Sequence, residues 1–254
     1  MAGLDPPYVE PILGIVFDLD GTLVLSRHDF PRMRAAVVMA AEHHGLPKGT
    51  MRPGDSVAAT MAAARDALAA LQAPEGAVLK FEAEANRLID AVEMEALPSV
   101  VARPGAPALL AELQRRSYRL AVLTRSSEAF ARAALHQAAL DPYFPYLRSR
   151  SAPGPSKPSP EALEILLKEM GVPPARALLV GDHPHDAETA VGARVRFYAV
   201  LAEPPAPPDA PSLDRFRRAG ASAVAPDLFE LARQLGLPML PGAGDPTRPG
   251  APRD

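Results

Sequence analysis

The sequence predicts an α/β fold: a doubly wound, Rossmann-like parallel sheet with a small all-helical domain inserted after the first strand. Three observations predict it. Short, uninterrupted apolar runs recur along the chain, as strands covered on both faces require. Helical patterns separate these runs, and strand alternating with helix implies right-handed crossovers between parallel strands. The alternation breaks once, at residues 25–101, where helical patterns follow one another with no convincing strand.

Each element has its own local reason. Ile-Leu-Gly-Ile-Val-Phe at 12–17 reads as a buried first strand. Helical patterns at 30–44, 55–72 and 75–97 make up the insert, with turns at 47–53 and at Ala73-Pro74. Pro98 and Pro104 mark the return to the sheet. Residues 107–116 carry Leu109, Leu110 and Leu113 and read as helix. A strand at 120–123 and an Ala-rich helix at 126–140 follow. The helix at 159–170 opens with Ser159 as N-cap and Pro160 at its first position, and Gly171 stops it. Strands at 177–180, 195–201 and 221–225, with helices at 184–193 and 227–235, complete the set.

Two segments read as non-regular. Residues 203–211, EPPAPPDAP, hold too much proline for helix or sheet and predict an extended loop. Residues 238–254, with five prolines and three glycines, predict a disordered tail. The expected domains are therefore an α/β core at 1–24 and 102–237, a helical insert at 25–101, and the tail.

Composition narrows the function classes. Hydrophobic residues are 48% and charged residues 22% of the 254, so most of the chain can bury a core. Aromatics are 5% with no Trp, so that core must be mainly aliphatic. Lys plus Arg is 27 against 30 Asp plus Glu, which leaves no basic excess for a nucleic-acid backbone. The absence of cysteine excludes disulfides, Cys-ligated zinc, iron–sulfur clusters and thiol nucleophiles. Residues 1–11 carry Asp5, Glu10 and three prolines without an apolar stretch, which does not match a signal peptide. Apolar runs such as 35–41 fall far short of the roughly 20 residues that span a bilayer. A soluble cytoplasmic protein with no membrane or nucleic-acid partner is expected.

Chemistry concentrates where strands end. Asp18-Leu19-Asp20-Gly21-Thr22 directly follows the first strand, and ligands of parallel sheets bind at the carboxyl ends of strands. Two carboxylates two residues apart can face one centre there, and Gly21 permits a turn that a side chain would obstruct. Thr124 ends the second core strand, Lys157 precedes a helix, and Asp182 ends the 177–180 strand with Asp186 four residues on. Carboxylates gathered at one edge suit a hard cation that prefers oxygen, Mg2+ first. A cation beside Thr and Lys suits a phosphoryl group.

Phe17-Asp18-Leu19-Asp20-Gly21-Thr22-Leu23 resembles the first motif of the haloacid dehalogenase superfamily, and Thr124, Lys157 and Gly181-Asp182…Asp186 are similar in order and context to the other three. The resemblance covers residues 12–202, and the helical insert resembles the cap of that superfamily's larger subfamily. It implies a Mg2+-dependent phosphatase of small phosphorylated metabolites, similar to phosphoglycolate phosphatases. Asp18 would be the nucleophile and Asp20 the general acid and base. Asp18, the Asp20 carbonyl and Asp182 would hold the metal. Asp186 would orient Lys157 or a metal-bound water. Thr124 and Lys157 would hold phosphoryl oxygens. Arg125, next to Thr124, could meet a substrate anion, though an ordinary exposed side chain is the expectation there.

Departures and alternatives stand beside that reading. Dehalogenases of the superfamily lack an acid at the second aspartate, so Asp20 favours phosphoryl transfer. A phosphonatase would need a cap lysine, and the insert offers Lys48 and Lys80, neither marked as desolvated. A sugar-phosphate mutase shares the same core motifs, and a non-catalytic metabolite-binding module is the reading from another class. His183 and His185 beside the fourth motif suggest zinc or nickel, but the preserved spacing to Asp186 favours ordinary solvated loop histidines.

Overall fold

The computed structural model of the chain describes residues 11–49, 51–54, 56–71, 76–201 and 210–238. It begins with strand β1 (Gly14–Phe17), buried at all four residues. The short strand β2 (Val24–Leu25) leads into three helices, α1 (Phe30–His43), α2 (Val57–Ala70) and α3 (Ala77–Ala96). Strand β3 (Val101–Ala102) leads out again, and helix α4 (Ala106–Arg115) precedes β4 (Arg119–Leu123). Then come α5 (Glu128–Gln137), β5 (Tyr146–Arg148), α6 (Pro160–Met170) and β6 (Ala177–Gly181). Helix α7 (Pro184–Gly192), β7 (Arg196–Val200), α8 (Ala210–Arg218), β8 (Ala223–Ala225) and α9 (Leu228–Gln234) close the fold.

Six strands form one sheet in the order β5-β4-β1-β6-β7-β8, and every pairing is parallel. This is the doubly wound arrangement the sequence predicts. The chain leaves β1 toward β4 and β5 on one side and returns to β6 on the other, so β1 and β6 flank the topological switch point. Phe17 at the end of β1 lies opposite both Val122 of β4 and Val180 of β6. That register brings Asp18, Thr124 and Asp182 out at one edge of the sheet.

An aliphatic core supports this edge. Leu163, Leu166 and Leu167 of α6 and Ala187 and Ala190 of α7 pack with Val16, Ala121, Leu123 and Leu179 of the sheet. Each fully buried leucine contributes about 1.5–3 kcal/mol, an upper bound because unfolded chains already bury some apolar surface. The chain divides into two compact units, one spanning Ser26–Val100 and the other taking in the described residues on either side. The helical unit has its own core: Val37, Ala40 and Ala41 of α1, Ala64 and Leu68 of α2, and Phe81, Ala85 and Ile89 of α3.

Several expectations are corrected. Residues 25 and 101, expected outside any strand, pair as Leu25 with Val101 in an antiparallel ribbon of β2 and β3. Two-residue strands carry no readable period. Strand β5 is absent from the expected list, because Tyr-Leu-Arg is too short for a pattern and sits at the sheet edge with one partner. Helix α8 is also unexpected, and it takes in Ala210 and Pro211, the last two residues of the anticipated loop. Pro near a helix start fills a position whose N–H would lack a partner anyway. Residues 203–209 of that loop and 239–254 of the anticipated tail lie outside the described residues. Among the described residues, no helix is long and apolar enough to cross a membrane.

Candidate active site

The site is built on the loop after β1. Asp18 still belongs to the sheet through its N–H, which donates to the Val180 carbonyl at 2.8 Å. The chain then folds back tightly, with the N–H groups of Leu23 and Val24 both donating to the Leu19 carbonyl at 2.8 and 3.0 Å. Gly21 has φ +81, a left-handed conformation that glycine adopts without strain. It also sits against Asp182, where a Cβ would lie 2.2 Å from the Oδ2 atom. Glycine is thus required there twice, by conformation and by space.

Lys157 joins two of the carboxylates. Its Nζ donates to Asp18 Oδ1 and, at 2.7 Å, to Asp186 Oδ1. All three residues are buried: Asp18 is 8%, Lys157 5% and Asp186 1% exposed. Asp186 Oδ2 accepts from the His183 N–H at 3.0 Å, so both oxygens of Asp186 are engaged at the start of α7. Oxygen atoms of Asp18, Asp182 and Asp186 lie within 4.8 Å of one another. Asp182 Oδ1 accepts from the Thr22 hydroxyl at 3.2 Å.

Asp20 faces the loop after β4. Its Oδ2 accepts from the Ser126 hydroxyl at 2.9 Å, and the Ser126 N–H in turn donates to Thr124 Oγ1 at 3.0 Å. Thr124 is held by its own N–H, which donates to the Arg148 carbonyl at 3.0 Å. Arg125 is half-buried rather than an ordinary exposed side chain. Burial lowers its pKa, against the opposing pull of the Asp18 and Asp186 charges.

The electrostatics show carboxylates short of positive charge. Burial pushes the Asp18 carboxyl well above its ordinary value, Lys157 opposes this, and Asp186 and Asp182 add to it. Asp182 is pushed up to about 7, first by burial and then by the Asp186 charge. Burial works against the Lys157 ammonium, but the adjacent Asp18 and Asp186 outweigh it and raise its pKa. Counting Asp18, Asp20, Asp182 and Asp186 against Lys157, Arg103 and Arg125 still leaves a formal charge of about −1 at full ionisation.

The seven residues predicted from sequence therefore sit around one sheet edge, with direct hydrogen bonds linking Asp18, Lys157 and Asp186. Two further residues belong to the same construction and were not predicted. Ser126 holds Asp20, and only its place two residues after Thr124 hints at this. Arg103, 4% exposed, donates to the carbonyls of Gly21 and, at 2.6 Å, Leu201. Its charge also lowers the Asp182 pKa. Nothing in the sequence around Arg103 marks a buried guanidinium.

His183 is exposed, as expected of a solvated loop histidine, but it also has a structural role. Its ring caps α7, with Nδ1 accepting from the His185 N–H at 3.2 Å, and Asp186 completes the capping box. Burial first, and the neighbouring His185 second, push its pKa down to about 4. The ring is therefore neutral at physiological pH, and the nitrogen nearest the helix is already occupied. The carboxylate cluster includes neither His183 nor His185.

Comparison with known proteins agrees with this construction. The family described as haloacid dehalogenase-like hydrolase matches residues 12–194. A phosphoglycolate phosphatase from Rhodospirillum rubrum is 31% identical over 243 residues, 90% of this chain and 92% of that protein. An N-acetylmuramic acid 6-phosphate phosphatase from Pseudomonas aeruginosa is 30% identical over 192 residues, 73% of this chain and 80% of that protein. Among solved structures, CbbY from Rhodobacter sphaeroides in complex with phosphate superposes with a TM-score of 0.58 at 22% identity, covering 89% of this chain and 100% of that one. That likeness speaks for the fold.

Proposed function

The chain belongs to the haloacid dehalogenase-like hydrolases and is a phosphatase, and from that premise we propose that it hydrolyses a small phosphorylated metabolite through an aspartyl-phosphate on Asp18, with Mg2+ as its cofactor. The observation that carries the reading is Lys157 bridging Asp18 and Asp186, with Asp20 held beside them by Ser126.

The residues fit a divalent cation. Asp18 and Asp182 are carboxylates whose charged forms burial disfavours, and the donor set is all oxygen, as hard cations prefer. Asp18, Asp182 and the Asp20 carbonyl would hold it. Bound there, the cation would supply positive charge against the carboxylates and the phosphoryl oxygens. Asp186 is assigned to positioning, because Lys157 and the His183 N–H engage both of its oxygens.

In the first half-reaction an Asp18 oxygen attacks phosphorus, the bond to the ester oxygen breaks, and Asp20 gives that oxygen its proton. Lys157 favours the ionised Asp18 that attack requires. In the second half-reaction Asp20 takes a proton from water, and the water oxygen attacks phosphorus. Asp18 leaves as carboxylate and inorganic phosphate departs. Lys157 and Thr124 stabilise charge on the phosphoryl oxygens, and Arg125 meets a substrate anion. The helical unit Ser26–Val100 is assigned to substrate selection.

The R. rubrum relative supports 2-phosphoglycolate as the first substrate to try. The test is a phosphate-release panel of phosphorylated metabolites, joined to a single turnover in 18O-water followed by mass spectrometry. Incorporation of 18O into inorganic phosphate, with none in Asp18, supports attack of water on phosphorus rather than on the Asp18 carboxyl carbon. Phosphate release by Asp18→Asn at the wild-type rate overturns the nucleophile assignment.

A further inference from the structure

A second cluster of ligand-type atoms lies within the helical unit, in residues that the proposed reaction does not use. His43 ends α1, His44 follows as its C-cap, and Glu84 projects from α3. His43 Nδ1 is 2.9 Å from Glu84 Oε2 and 3.1 Å from Oε1. His44 Nε2 is 2.8 Å from the same Oε2. Two imidazoles thus converge on one carboxylate from another helix, and their ring centroids are 5.1 Å apart. Among the described residues, the ion-pair partners of Glu84 are these two imidazoles, with no Lys or Arg.

We propose that His43, His44 and Glu84 form a metal site that takes a divalent transition-metal ion, Zn2+ foremost, and ties the end of α1 to α3. Two imidazole nitrogens and a carboxylate oxygen are a donor set that suits such ions, with Zn2+ commonly keeping water at the fourth position. The nitrogens and the carboxylate oxygen already lie within 4.8 Å of one another. Tetrahedral zinc with bonds near 2.1 Å needs ligand atoms about 3.4 Å apart. The present contacts would open by about half an ångström, which side-chain rotation can supply. Each imidazole would present a lone pair to the ion, and a ring carrying protons on both nitrogens would give one up to solvent on binding.

Exposure suits entry of the ion. The side chains of His44 and Glu84 are 18% and 24% exposed, while His43 is 71% exposed and leaves one side open to water. The half-buried pair supplies a fixed base and His43 closes onto it. The site differs in kind from the carboxylate edge of the sheet, where the donors are all oxygen. Mg2+, which dehydrates reluctantly and prefers oxygen, would not compete for it.

The test uses the full chain and Zn2+ itself, in excess Mg2+, by equilibrium dialysis with metal analysis. Wild type should hold one Zn2+ per chain, and Zn X-ray absorption should show back-scattering from two imidazoles. Glu84→Gln and His44→Gln should each weaken that binding by about 100-fold, and Asp182→Asn should leave it unchanged. Failure of wild type to bind Zn2+ at micromolar concentration overturns the proposal, and so does absorption lacking imidazole. Equal affinity in folded Glu84→Gln does the same. Because the wild-type stoichiometry and spectrum need no variant, a substitution that fails to fold does not protect the idea.

Discussion

Lys157 Nζ donates to Asp186 Oδ1 at 2.7 Å, and the two side chains are 2% and 1% exposed. The same nitrogen donates to Asp18. One ammonium therefore serves two carboxylates away from water. Removing one partner of a buried ion pair leaves an uncompensated charge, which costs about 3–5 kcal/mol. Lys157→Met should lower unfolding free energy by roughly that amount in urea titrations of the metal-free protein. A loss well below 1 kcal/mol would show that the carboxylates shed their charge instead.

Asp18→Asn keeps the shape of the side chain and removes its nucleophilic charge. Phosphate release should fall by roughly 10^4-fold, with far-UV circular dichroism unchanged. Residual activity within tenfold of wild type would assign the attack elsewhere.

Ser126→Ala removes the hydroxyl that donates to Asp20 at 2.9 Å. A hydrogen bond to a charged group is worth about 1.5–3 kcal/mol, so kcat should drop by about 10-fold or more while KM moves little. The limb of the pH–rate profile that reports Asp20 should shift as well. A change confined to KM would place Ser126 in substrate binding instead.

Gly21→Ala puts a methyl group where Asp182 Oδ2 lies 2.2 Å away, at φ +81. The left-handed backbone alone costs about 1–2 kcal/mol. Displacement of Asp182 should also weaken Mg2+ activation, seen as a raised Mg2+ concentration for half-maximal rate. Wild-type Mg2+ dependence in this variant would detach Asp182 from the metal.

Metal removal and pH act together. A carboxyl raised in the folded state, as Asp182 is to about 7, contributes stability that is full below its unfolded value and is lost as pH rises through 7. In EDTA, the wild-type melting temperature should therefore fall between about pH 5 and pH 8 more than that of Asp182→Asn. Mg2+ binds the ionised form, so its stabilisation should grow across the same interval. Phosphatase activity should vanish in excess EDTA and return with Mg2+. Parallel pH curves for wild type and Asp182→Asn, or activity untouched by EDTA, would count against this account.

Much of the fold was legible in the chain. Buried parallel strands are continuous apolar runs, so β1, β4, β6 and β7 stood out. Helices such as α6 carried both period and caps in Ser159, Pro160 and Gly171. Elements that fell below that threshold were lost: β2 and β3 at two residues each, and β5 at the sheet edge. Helix α8 was hidden because proline at its start resembles proline in a loop.

By itself the sequence determined the strand–helix alternation, the aliphatic core, and the aspartates, threonine and lysine that stand at strand ends, because burial and hydrogen bonding along one element leave local patterns. Only the tertiary structure decided that Lys157 bridges Asp18 and Asp186, that Ser126 holds Asp20, that Arg103 braces the Gly21 loop, and that His183 caps a helix as a neutral ring. Those contacts join residues from 2 to 139 positions apart. Most depend on the register by which β1, β4 and β6 end at one edge, and a linear pattern carries no record of register.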